Sequence, residues 1–142
     1  MSAGWRWAAR VVLTGYAVGL VTVLAWPDGA AIRRVNIGVY GWFLSHGAPL
    51  WLKPGFYEFS LNVIVVAPLA ALLVIAFPQI PRWVWVGLGL LGSAGVEWFQ
   101  ATQLPGRNGS LVDVAANTMG ALLGVLVVSL WSGRRQLPLA NC

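Results

Sequence analysis

The chain has 142 residues, 58% of them hydrophobic and 9% charged, with a formal net charge of +5 and a mean hydropathy of +0.75. Soluble domains carry about a quarter charged residues, so water is not its main solvent. Its basic residues stand at the ends of apolar runs and form no stripe that would track a phosphate backbone, which excludes a nucleic-acid-binding protein.

The first apolar run extends from Val11 to Trp26. Crossing a bilayer core takes about 17–25 helical residues, a length reached if the helix begins near Trp7, inside the basic segment that holds Arg6 and Arg10. A basic start with an apolar middle also describes a cleaved signal peptide. Gly15-Tyr16-Ala17-Val18-Gly19, however, has the small-residue spacing with which helices pack closely in lipid, so a retained span is the expectation.

A long segment, Pro27 to Glu58, follows. Its middle, Val35 to Leu52, is uncharged but interrupted by Gly38, Gly41, Gly47 and Pro49, and it carries Asn36, Ser45 and His46. The interruptions argue against a further span and for an interfacial or re-entrant element, because irregular backbone at membrane depth needs a cover of protein or water. His46 is the only histidine, which excludes a histidine-rich metal site.

The second span, Phe59 to Phe77, holds Asn62 one turn in and Pro68 near its middle, where a kink is expected. The third, Trp83 to Thr102, ends with Glu97 and Gln100 on one face, and Ser93 precedes Glu97 by one turn. Ser93 reads either as a nucleophile beside a base or as a hydroxyl bonded back to its own helix. Arg107 lies in the short loop that follows. The fourth span, Leu111 to Trp131, opens with Asp113 and Asn117 on one face, continued by Ala116, Gly120 and Gly124 as a small-residue stripe. Cys142 has no partner for an internal disulfide.

The expected fold is all-α: one membrane domain over residues 1–142, built as a four-helix transmembrane bundle with an interfacial or re-entrant segment between the first and second helices. Trp5, Trp7, Trp26, Trp83, Trp85 and Trp131 lie near the expected helix ends, where indole rings favour the headgroup layer. Lys and Arg counting places Arg6, Arg10, Arg82, Arg134 and Arg135 on the cytoplasmic side and Arg33, Arg34, Lys53 and Arg107 outside. Both termini are then cytoplasmic.

In an up-and-down bundle the start of the second helix and the facing ends of the third and fourth meet one leaflet. Asn62, Glu97 and Asn117 then share a depth on the order of 5–10 Å below that surface. Ionisable groups at such depth cost about 2.5–3.5 kcal/mol at the bilayer centre and less near the interface, so Glu97 and Asp113 require partners. Arg107, the nearest cation in sequence, could bridge both. Two roles stay open. As a site, Glu97, Arg107 and Asp113 are the catalytic candidates, with Asn62, Gln100 and Asn117 the ligand-binding ones. As a scaffold, the same residues only hold helices together. Two carboxylates with amide oxygens make an incomplete cage for a divalent cation, and no metal site is expected. No cofactor is named by these residues.

Asn62 with Pro68-Leu69, then Glu97-Trp98-Phe99-Gln100, then Arg107-x-x-Ser110-Leu111-x-Asp113-x-x-x-Asn117-Thr118-x-Gly120 resembles the VanZ-like membrane proteins. The likeness runs from about Asn62 to Gly124, within a motif region of about residues 59–131, and places Ala70 where that family commonly has glycine. The resemblance implies a multi-pass protein of the bacterial cytoplasmic membrane with an influence on glycopeptide (teicoplanin) susceptibility, and it supplies no reaction. The partners it implies are membrane lipids and a lipid-linked or glycopeptide amphiphile, bound or modified near the outer leaflet. A transporter or channel subunit ranks last, since no pore-lining charge series or internal repeat is present.

Overall fold

The computed structural model describes residues 3–49, 51–104 and 109–134. These form α1 (Ala3–Leu24), α2 (Gly29–Ser45), α3 (Pro54–Ala76), α4 (Arg82–Gln103) and α5 (Leu111–Arg134), and no strand occurs among the described residues. Among the described residues three helices are long and apolar enough to cross a membrane: α1 over Gly4–Leu24, α3 over Pro54–Ala76 and α5 over Leu111–Gly133. α4 matches them in length at 22 residues. Its glycines (Gly87, Gly89, Gly92, Gly95) and its polar end (Glu97, Gln100, Gln103) dilute its apolar content, so the expectation of four such helices is met by three.

The segment expected to break at its glycines instead contains a regular helix. α2 has 17 residues, and Gly38 and Gly41 lie inside it. A glycine costs about 1 kcal/mol relative to alanine in a helix interior, which a capped helix can absorb. Here the Asp28 carboxylate accepts the Ala31 N–H at 3.0 Å, occupying one of the first-turn donors that lack intrahelical partners. The chain turns just beyond the helix at Gly47, whose φ of 91° is readily adopted only by glycine. α2 buries none of its residues. It leans on α3 through the Tyr40 and Phe43 rings, 5.7 Å and 5.9 Å from Tyr57.

α3 and α5 form the central pair, with α1 against α3 and α4 against α5. Their close approach follows from the stripe on α5. A Cβ added at Gly120 would lie 2.7 Å from the Val63 carbonyl oxygen, and one at Gly124 would collide with the Ala67 carbonyl. Ala116 and Ala121 are fully covered beside them. Gly89 on α4 admits the Ala121 methyl in the same way.

The matching expectation for α1 does not hold, because Gly15 and Gly19 face open space. Polar hooks dock α1 instead. The Tyr16 hydroxyl donates to the Val65 carbonyl at 2.6 Å, one residue beyond the Ile64 carbonyl that Pro68 cannot reach for want of an N–H. α3 continues through Pro68. At the opposite end Arg10 Nε donates to the Ala76 carbonyl at 3.2 Å, and its guanidinium stands 5.1 Å from the Phe77 ring centre.

The apolar core, Ala70, Val74, Trp85, Ala121, Val125 and Val128, fills the half of the bundle nearest that Arg10 contact. Large apolar side chains such as Val18, Ile64, Leu91 and Leu130 point outward and stay exposed, as a lipid solvent permits. The other half carries the polar groups.

Candidate functional site

The site begins at the turn into α5. Ser110 Oγ accepts the Asp113 N–H at 3.2 Å, capping the helix start, and Asp113 sits in the first turn where the dipole favours an anion. In a full capping box the third helical residue returns to the cap residue's N–H. Here Glu97 of α4 takes that donor: the Ser110 N–H reaches Glu97 Oε2 at 2.9 Å. The loop end is drawn onto α4, with Gly109 packed against the Glu97 carbonyl. Asp113 is thereby released to α3, where Asn62 Nδ2 donates to its Oδ1 at 2.8 Å.

Two further amides tie helices together at this level. Gln100 Nε2 donates to the Leu24 carbonyl at the end of α1, 3.1 Å away. Asn117 Nδ2 donates to Ser93 Oγ at 2.8 Å. Ser93, buried at 7% exposure, is therefore the acceptor of an interhelical bond, which neither expectation for it described.

Asn62, Glu97, Gln100, Asp113 and Asn117 border a cleft of about 510 Å³. α3 contributes Glu58, Leu61, Asn62, Val65 and Val66, α4 contributes Glu97 and Gln100, and α5 contributes Asp113 and Asn117. α1 supplies Leu20, Val23 and Leu24, and α2 closes the wall with Gly29, Ile32, Arg33 and Asn36. Five of the six candidate residues thus meet on one cavity. The sixth, Arg107, lies outside the described residues, as does Cys142.

Arg33, Asn36 and Glu58 belong to the same wall and were not singled out from the sequence. A signal was present in their spacing. Gly29, Ile32, Arg33 and Asn36 fall on one face of a helix, as do Glu58, Leu61, Asn62 and Val65, but the first pattern means something only once α2 is known to be helical.

The hydrogen bonds sort the cleft chemically. The Asn62 and Gln100 orientations are fixed, since each nitrogen meets an oxygen that can only accept. One N–H of each amide is engaged by the protein, leaving its second N–H and the amide oxygen without a partner among the described residues. Gln100 is nonetheless 7% exposed. With Glu58, Glu97 and Asp113, the α3–α4–α5 wall is rich in acceptors, whereas Arg33 brings a cation from α2. No three His, Cys, Asp or Glu side chains come together as metal ligands among the described residues.

The VanZ/LLP1 family model matches residues 13–132. The chain belongs to the VanZ/LLP1 family. The match extends well upstream of the motif residues, so the second half of α1 and all of α2 belong to the family region along with the polar cluster. No curated protein and no solved structure matches the chain. Membership in VanZ/LLP1 and the three apolar helices together mark a membrane protein.

Proposed function

We propose that this VanZ-like chain holds the polar head of an envelope amphiphile in the cleft and so influences glycopeptide susceptibility. The observation that carries the reading is the convergence of Asn62, Glu97, Gln100, Asp113 and Asn117 on one cavity whose other wall, Leu20, Val23 and Leu24, is apolar. A polar head and an apolar chain find separate surfaces there. The volume lies in the range of about 300–1,000 Å³ that suits a drug-sized ligand, so it accommodates a headgroup or a short saccharide rather than a whole glycopeptide.

In this reading α4 crosses the membrane with α1, α3 and α5, giving four spans with both termini cytoplasmic, in the bacterial cytoplasmic membrane. α2 then lies at the outer interface and the cleft opens near the outer leaflet. Tag fusions at each terminus test that orientation: a cleft facing the cytoplasm would refute it.

A scaffold role is favoured by a different observation, the three amide bonds that join α3 to α5, α4 to α1 and α5 to α4. Glu97→Gln and Arg107→Lys separate the two readings in a glycopeptide susceptibility assay with membrane accumulation measured alongside. A lost phenotype at normal accumulation supports the site. Loss that merely follows reduced accumulation supports the scaffold.

A further inference from the structure

We infer that the end of the bundle opposite the cleft carries a second site, formed by Arg6 and Arg10, for the phosphate of an anionic membrane lipid. The inference is independent of the cleft and of what occupies it.

Arg6, Trp7 and Arg10 line, with Gly4, a recess of about 550 Å³ at the start of α1. Arg6 and Arg10 stand one turn apart on one helix face, where Cβ atoms lie about 5–6 Å from each other and like charges repel. An anion between them replaces that repulsion with attraction. Arg10 is also held in place. Its Nε–H is engaged by the Ala76 carbonyl and its guanidinium is set beside the Phe77 ring, which leaves its terminal NH2 groups oriented and without a partner among the described residues. A guanidinium oriented beforehand loses less freedom when it binds a phosphate. No carboxylate competes for it. The chain has four acidic residues, and all of them lie toward the other end: Asp28 just beyond α1, Glu58 early in α3, Glu97 late in α4 and Asp113 in the first turn of α5.

The level of the recess names the source of the anion. Trp7 within it and Trp83 at the start of α4 are exposed, and exposed indoles at helix ends belong in the headgroup layer. Phospholipid phosphates occupy that layer. A net anionic head such as phosphoglycerol suits a pair of guanidiniums, whereas phosphocholine brings a cation of its own with its phosphate.

The test uses the full chain in detergent, titrated with short-chain phosphoglycerol or phosphocholine lipids, with binding read by native mass spectrometry. Phosphoglycerol should bind about tenfold more tightly than phosphocholine. That preference should persist in Asn36→Trp, which fills the cleft, and in a large excess of inorganic phosphate. Arg6→Gln, at a residue with no hydrogen bond to a described partner, should weaken phosphoglycerol binding about fivefold while the lipid-free melting temperature stays unchanged. Arg82→Gln removes a charge from the same end but outside the recess, and should change binding by less than about twofold. Equal loss in the two variants, or no loss in Arg6→Gln, would overturn the site, since the net charge of that end would then account for any binding. Loss of the preference in Asn36→Trp would put the lipid in the cleft, overturning the second site and leaving the amphiphile reading standing. Displacement by inorganic phosphate would overturn a lipid as the occupant.

Discussion

Asn62 on α3 donates to the Asp113 carboxylate on α5 at 2.8 Å, across 51 positions of chain. The bond crosses the central helix pair at the level of the cleft. Interhelical hydrogen bonds in membranes contribute about 0.6 kcal/mol on average and up to about 1.7. A double-mutant cycle of Asn62→Ala with Asp113→Ala, read by unfolding of the purified protein, should therefore return a coupling energy of that order. Zero coupling would remove the bond from the account.

Glycine substitutions should split sharply by position. Gly124→Ala drives a methyl into the Ala67 carbonyl, and Gly120→Ala approaches Val63. Overpacking of this kind costs about 1–3 kcal/mol. Gly15→Ala and Gly19→Ala meet open space and should leave thermal stability unchanged or slightly raised. Equal sensitivity at the two pairs would mean that α1 packs differently from the description given.

The start of α2 should respond to acid. The Ala31 N–H, first among the causes, and the Arg34 guanidinium hold the Asp28 carboxyl below its ordinary value. A carboxyl lowered in the folded state stabilises above its unfolded value, and that support is lost as pH falls through the lowered one. Amide exchange at Ala31 should accelerate over that acid range. Asp28→Asn keeps an oxygen acceptor for the cap, so its exchange rate should show no such acceleration beyond intrinsic chemistry.

Ser110→Ala removes the cap of α5. Loss of an N-cap hydroxyl costs about 1 kcal/mol. Because the Ser110 N–H still reaches Glu97, the loop contact should persist. Destabilisation near that figure with the Ser110 amide still protected from exchange would fit the arrangement.

Much of this architecture was readable from residue chemistry. Uncharged apolar runs of about 20 residues mark helices of membrane length, so α1, α3 and α5 are visible as such, and costly polar residues at facing helix ends point to one end of the bundle. Asn62, Glu97 and Asp113 accordingly line the same cleft. Other features depended on partners that a sequence does not display. Gly15 and Gly19 have the same spacing as Gly120 and Gly124, yet only the second pair has a helix against it. Gly38 and Gly41 read as breaks because the Asp28 cap and the Tyr57 contact that support α2 lie outside the uncharged Val35–Leu52 stretch. With α2 taken as irregular, Arg33 and Asn36 had no face to share, and Arg33 registered only as a charge that orients the chain.

The most direct test of the amphiphile site places a photo-crosslinking amino acid at Leu61, in the cleft, or at Leu130, on the exposed surface, in living cells. Adducts are then identified by mass spectrometry. The account predicts that Leu61 captures one class of headgroup well above its share of the bulk lipid, whereas Leu130 captures the bulk mixture. The same mixture at both positions, or no adduct at Leu61, would contradict it.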